Sequence, residues 1–363
     1  MALDPALLPL HRRGHAPPPG LAVPAIAPTA DTLLDHRLAQ RLACAPDGQR
    51  QFGRLQDLAL QLARIQNGPD HAFDTLTLTA PQLLVFAADH GIADQVQGPD
   101  DHRRTQARVL ALLAGAAPTS ALARLHGVAV TVVDAGLATP VTPPARSPVG
   151  WQARKIGFGT RNLLLGPAMS VAQASAALQA GMDVVRQTPG NVVAVAGVGE
   201  ASSACAGLLL SRLCGVPVAD ACARAPREAA GFDEADDTER LDALTNAALR
   251  HRALHNATDV LAAMGGFDLA MMAGAMLQAA SERRIVLVDG FAAGAAALVA
   301  RALSPAVTDY LVFSHRAPDP GHRLMLIHLQ ADPLLDLGLT AHQGTGALLA
   351  WPLVRAAQAL LDL

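Results

Sequence analysis

Aromatic residues are scarce in this chain of 363 residues: 3% in all, with one tyrosine and two tryptophans. The core must come from the alanine, leucine and valine that dominate a hydrophobic share of 51%, a composition suited to closely packed helices against a parallel sheet. Cysteine is sparse too. Cys44, Cys205, Cys214 and Cys222 form no C-x-x-C pair, and no secretory signal opens the chain, which points to a reducing, cytoplasmic setting. No apolar run reaches the ~18–20 residues that span a bilayer without a charge or glycine break. Asp268 and Asp289 interrupt the two richest stretches, so no membrane segment is expected. A net charge of only -3 argues against a general nucleic-acid surface while leaving room for a local basic site that holds a phosphate. G-x-S-x-G, H-E-x-x-H and the P-loop pattern are all missing, which removes the sharpest signals of a serine hydrolase, a zinc protease and a P-loop enzyme.

What is present alternates. Five short apolar runs each end in a polar or glycine cluster: Leu83–Phe86 before Asp89-His90-Gly91, Ala129–Val133 before Asp134, Asn191–Val195 before Gly197-Val198-Gly199, Ile285–Val288 before Asp289-Gly290, and Tyr310–Phe313 before Ser314. Helix-like segments separate them. Strands alternating with helices imply an α/β fold, a parallel three-layer, Rossmann-like sheet with right-handed crossovers whose polar clusters share one carboxyl rim. Residues 1–30, with Pro17-Pro18-Pro19-Gly20 at their centre, have no period and read as a disordered proline-rich arm. Residues 31–363 form the main domain, with a helical lobe from about 31–80 and the C-terminal helices. Residues 139–150 and the acidic stretch 220–242 read as surface loops.

Two C-terminal loops carry the densest chemistry. Ser314, His315 and Arg316 follow the last strand, and Gly344-Thr345-Gly346 opens an alanine- and leucine-rich helix. A glycine-flanked helix start offers backbone N–H groups to an anion, so together these loops suggest a phosphate-bearing substrate; either one alone is equally compatible with a solvated turn or an ordinary helix start. Gly197, Gly199 and Ser202, with Asp220 about twenty residues on, are similar to a dinucleotide fingerprint, but its third glycine is missing and strands precede the unit. Asp89 and His90 are neighbours whose side chains point apart, which favours hydrogen-bonding roles over joint metal ligation.

The segments Phe86–Gly91, Gly265-Gly266-Phe267-Asp268, Val288–Phe291, Ser314-His315-Arg316 with Pro320–Arg323, and Leu335–Leu339 with Gly344–Ala347 occur in the order and spacing of one family. With Gly53–Leu55, Leu113–Ala116, Lys155-Ile156, Gly159-Thr160-Arg161-Asn162 and Gly166–Met169, the chain resembles the nicotinate-nucleotide:dimethylbenzimidazole phosphoribosyltransferases over roughly residues 40–360. The resemblance implies a homodimer with no cofactor and no metal. The implied reaction takes nicotinate mononucleotide and a benzimidazole-type base to an α-riboside 5′-phosphate for the cobalamin lower ligand. It also implies substrate-binding roles for Asp89, His90, Thr160, Arg161, Asn162, Gly197, Gly199, Ser202, Gly265, Gly266, Phe267, Asp289, Ser314, His315, Arg316, Gly344, Thr345 and Gly346. The family's general-base glutamate is replaced by Gln343, and a neutral amide takes up no proton. Glu200 or a histidine is left to take up the proton in its place, and the acceptor base can be a phenol rather than a benzimidazole. The alternative is a catalytically weakened nucleotide-binding paralogue, or a partner subunit in a hetero-oligomer with a related chain.

Overall fold

Strand β1, Gln82–Ala88, is buried along its whole length, the state expected of an apolar run with elements covering both faces. It pairs in parallel with β2, Ala129–Gly136, on one side and with β4, Val192–Val198, on the other, so that Leu84 lies opposite both Thr131 and Val195. Gly150–Ala153 (β3), Ile285–Val288 (β5) and Leu311–Phe313 (β6) complete a six-stranded parallel sheet in the order β3-β2-β1-β4-β5-β6. The order reverses between β1 and β4. In such sheets the crevice outside the carboxyl ends at the reversal is where ligands bind.

The computed structural model describes residues 20–42, 52–67, 75–96, 101–225, 234–341 and 343–361. Its helices are α1 (Thr32–Leu42), α2 (Arg54–Gln66), α3 (Ala93–Val96), α4 (Asp101–Leu113), α5 (Pro118–His126), α6 (Val171–Arg186) and α7 (Ser202–Cys214), then α8 (Val218–Ala221), α9 (Glu234–Arg250), α10 (Ala257–Met264), α11 (Phe267–Ser281), α12 (Gly290–Leu303), α13 (Pro320–Leu329) and α14 (Thr345–Leu361). Helix α14 packs on α1, α2 and α5, which joins elements from the two ends of the chain. Residues 103–126 are long and apolar enough to cross a membrane, yet they are two helices, α4 and α5, with Gly115 of the turn set against Pro148.

The five expected strands form, and three expectations change. β3 starts at Gly150, the last residue of the expected loop 139–150, where no strand is expected: four residues on a sheet edge carry too little pattern to register as a strand. Of the stretch expected to be an acidic loop, 220–242, residues 226–233 lie outside the described residues and the chain is helical from Glu234 onward; α9 buries Arg240, Leu244 and Ala247 among exposed neighbours, too narrow a stripe to stand out in the sequence. The expected proline-rich arm falls partly outside the described residues, at 1–19. Residues 20–30 lie along the body, where Leu21 is buried, Tyr310 Oη donates to Ala27 O at 2.7 Å and Thr29 N donates to Asp309 at 2.9 Å.

Helix α11 is buried on every side from Phe267 to Ala280, and glycine lets α6 reach it. A Cβ on Gly274 would stand 1.9 Å from Leu178 O, and one on Gly181 would stand 1.9 Å from Met271 O. The two glycines thus admit each other's helix backbone, and carbonyls held in helices cannot step aside. Gly274→Ala should therefore destabilise the protein by ~1–3 kcal/mol through overpacking, measured as a lower urea midpoint. Gly166→Ala, whose Cβ meets nothing within 4 Å, should stay within ~0.5 kcal/mol.

Candidate active site

The loop after β4 turns tightly. Ala201 holds a left-handed backbone at φ 62° as the cap of α7 and its side chain makes no capping hydrogen bond, whereas α6 begins with a full Ser170/Gln173 capping box. Gln343, before α14, is also left-handed, at φ 69°. Both residues border one cleft of about 140 Å³, lined by Arg108, Gly197–Ser203, Asp289, Phe291, Ala292 and Gln343. Non-glycine residues in this region cost ~1–2 kcal/mol and gather at functional sites. The cleft stands at the carboxyl ends of β4 and β5, with Arg108 reaching in from α4, in the connection between β1 and β2.

Within the cleft, Arg108 Nη1 lies 2.7 Å from Glu200 Oε1, and the Glu200 N–H donates to Thr105 Oγ1 at 3.2 Å. Beneath it sits a buried network. Ser202 Oγ donates to Asp268 at 3.0 Å, and Asp268 faces His90 Nε2 at 3.2 Å, both side chains fully enclosed. Burial by itself would lower the pKa of His90, but the Asp268 carboxylate and the neighbouring Cys205 together outweigh it and hold the imidazole well above its ordinary range. Gly266 is required here, since a Cβ would come within 2.2 Å of the His90 ring.

Of the residues anticipated from sequence, Gly197, Gly199, Glu200, Ser202, Asp289 and Gln343 share the cleft. Asp89, His90, Gly265, Gly266 and Phe267 serve the floor. Asp89 Oδ2 accepts the Ala138 N–H at 2.7 Å, and the Phe267 ring covers Gly136 and Gly157. Thr160, Arg161 and Asn162 do not line the cleft. They secure the neighbouring loop, with Thr160 Oγ1 accepting from Gly91 N at 3.0 Å, Arg161 donating to Pro167 O at 3.0 Å and Asn162 donating to Gln95 at 2.9 Å.

The C-terminal loops differ most from expectation. Ser314 Oγ donates to Val288 O at 2.8 Å, His315 packs buried beside Asp289, and Arg316 forms an exposed ion pair with Asp336. At the start of α14, the N–H groups of Gly344 and Ala347 donate to Asp289 at 2.9 and 2.8 Å, and Thr345 Oγ1 meets Thr119 Oγ1 at 3.1 Å. The anion at that helix start is thus the protein's own carboxylate, and among the described residues the cation lining the cleft is Arg108, with Arg316 outside it. Nothing in the sequence singles out Arg108 from its neighbours Arg103 and Arg104; only the packing of α4 beside β1 and β4 does. Among the described residues, no three histidine, cysteine or carboxylate side chains gather as a metal set.

The profile of a phosphoribosyltransferase family matches residues 27–362. The chain is 39% identical over 338 residues to the nicotinate-nucleotide-dimethylbenzimidazole phosphoribosyltransferase of Variovorax paradoxus, covering 92% of this chain and 93% of that one. It is 41% identical to the like-named protein of Cupriavidus necator, with 91% and 94% covered. The crystal structure of CobT from Thermus thermophilus superposes with a TM-score of 0.82 at 30% identity, covering 91% of this chain and 96% of that one.

Two outcomes follow from the geometry. Asp289→Ala removes the acceptor of two buried N–H groups and should cost ~2–4 kcal/mol of stability, read from urea unfolding. Burial, aided by His315, pushes His322 down to about 3 from 6.5, and its Nδ1 accepts the Ala317 N–H. The unfolded chain therefore binds that proton first, so the stability present at neutral pH is lost as pH falls below 6.5 towards 3, by ~1 kcal/mol per unit. The raised His90 acts oppositely: its contribution is complete below the unfolded value of 6.5 and is lost as pH rises through its folded value. His322→Gln should flatten the acid limb; an unchanged slope would remove His322 as its source.

Proposed function

Since the chain belongs to the nicotinate-nucleotide-dimethylbenzimidazole phosphoribosyltransferase family, we propose that it performs the family's transfer with a proton acceptor of its own. It is a phosphoribosyltransferase. In the reaction, the bond from C1′ to the nicotinate nitrogen breaks and its electron pair leaves with nicotinate. A ring nitrogen of the incoming base forms the new bond from the opposite face, and the ring N–H proton is released. Nicotinate is a good leaving group, so the site needs to anchor the phosphate, align the base and take up one proton.

The cleft supplies a group for each task. The start of α7 and the Arg108 guanidinium suit the 5′-phosphate, through the positive end of the helix and charge-assisted hydrogen bonds. Phe291 and Ala292 offer an apolar wall to an aromatic base. Gln343 supplies an amide that orients that base, and Glu200 supplies the carboxylate that takes its proton. The observation that carries this reading is the convergence of Glu200 and Gln343 on one cleft at the carboxyl ends of the strands. Similarity over nine-tenths of the chain to proteins named as the enzyme supports catalysis over a nucleotide-binding paralogue or partner subunit. The resemblance also favours a homodimer in a cytoplasmic setting.

The test is turnover of pure protein with nicotinate mononucleotide and a panel of benzimidazoles and phenols, with product detected by mass. Glu200→Gln should lower turnover by ~10²-fold or more, and Gln343→Glu should raise it with 5,6-dimethylbenzimidazole by up to ~10²-fold, the range for a general base. A loss in Gln343→Glu confined to a phenol would instead identify the amide N–H as a donor to that acceptor. No product with any acceptor would overturn the proposal.

A further inference from the structure

The ion pair in the cleft joins unequal partners. The Arg108 side chain is 44% exposed, whereas that of Glu200 is 6% exposed. Glu200 sits on a rigid base: its N–H is held by Thr105 Oγ1, and the left-handed Ala201 follows it. Arg108 ends a long, flexible side chain on the outer part of α4. When an anion enters the cleft, the arginine is the partner that can move. A phosphate at the start of α7 competes for the same guanidinium with more charge than one carboxylate and with oxygens that accept two parallel hydrogen bonds.

We propose that Arg108 is a nucleotide-operated positioning residue, holding the Glu200 carboxylate while the cleft is empty and passing to the 5′-phosphate when nicotinate mononucleotide binds. This rests on the assignment above of the phosphate to the α7 start and of proton uptake to Glu200. The exchange releases the Glu200 oxygen that Arg108 had engaged, so it can accept the N–H of the incoming base. A buried carboxylate relieved of a cation's charge also takes up a proton more readily. The proton acceptor is thereby assembled after the nucleotide has arrived, and the two substrates bind with positive coupling. Phosphate tightens the base and, by linkage, the base tightens phosphate by the same factor.

Calorimetric titration of the whole protein with 5,6-dimethylbenzimidazole, with and without saturating inorganic phosphate, measures the coupling. In the unaltered protein, phosphate should tighten the base by ~10-fold, and the base should tighten phosphate equally. Arg108→Ala should weaken phosphate and make base binding indifferent to it. Glu200→Gln should bind phosphate at least as tightly as the unaltered protein while losing the coupling and most of its turnover. Base affinity indifferent to phosphate in the unaltered protein would overturn the switch and leave the site assignment standing. Unchanged phosphate binding in Arg108→Ala together with unchanged turnover in Glu200→Gln would overturn both. The unaltered protein carries the decisive comparison, so the switch stands or falls on it even where a variant fails to fold, as checked by its circular dichroism melt.

Discussion

The carboxylate of Asp289 accepts the N–H groups of Gly344 and Ala347 at 2.9 and 2.8 Å, and the geometry of the cleft depends on that clasp. It joins the end of β5 to the start of α14, two elements far apart in the chain. Gln343 directly precedes Gly344, so the clasp also sets where the Gln343 amide stands. The clasp has its own support. His315 lies 3.6 Å from Asp289 and within 3.1 Å of Ser314 Oγ, and Gly346 leaves room for the His315 ring where a Cβ would collide at 1.9 Å. A helix start that resembles an anion site in isolation is therefore an internal cap, since an ionised carboxylate that receives two N–H groups is already well satisfied.

The shortage of aromatic residues has a mechanical counterpart. Without large rings to fill space, helices and sheet approach closely, and the glycines of α6 and α11 bring two backbones together on the sheet. Such a core resists deformation, because neither partner can retreat without opening a void. Rigid strand ends and a rigid α11 give the floor of the cleft, Asp268 and His90, a fixed place from which to hold Ser202.

Charge in and around the cleft is divided by mobility. Asp289 is committed to backbone N–H groups and Asp268 to His90 and Ser202, all within the protein. Glu200 is different, because Arg108, which pairs with it, is half in water. An ion pair with one solvated member is loosely held, so that contact is the one a ligand can exchange at small cost. The carboxylates that hold backbone and buried side chains build the cavity, and the proposed proton acceptor is the one whose arginine partner reaches water.

The repeated pattern of apolar run, polar cluster and helical segment was legible without a structure. Parallel strands covered on both faces have to be continuous and apolar, so β1, β2, β4, β5 and β6 were visible, as was the concentration of polar residues on one rim. The short edge strand β3, paired along one side, left too little pattern to read, and α9 was masked by its solvated acidic face. Family resemblance placed Gln343 and the glycine loop at the site, because those segments keep their order. The sequence could not rank the polar residues on the rim by access. Ser314, His315 and Arg316 carry the densest functional appearance in the chain, yet Ser314 and His315 are turned to the support of β5 and α14 and Arg316 pairs with Asp336 at the surface, while Arg108 enters the cleft from a helix that gave no sign of it. Local composition determined which elements form and which ends carry polar groups. Only the strand order, through the reversal between β1 and β4, decided which of those groups face a common space, because that depends on contacts between residues far apart in the chain.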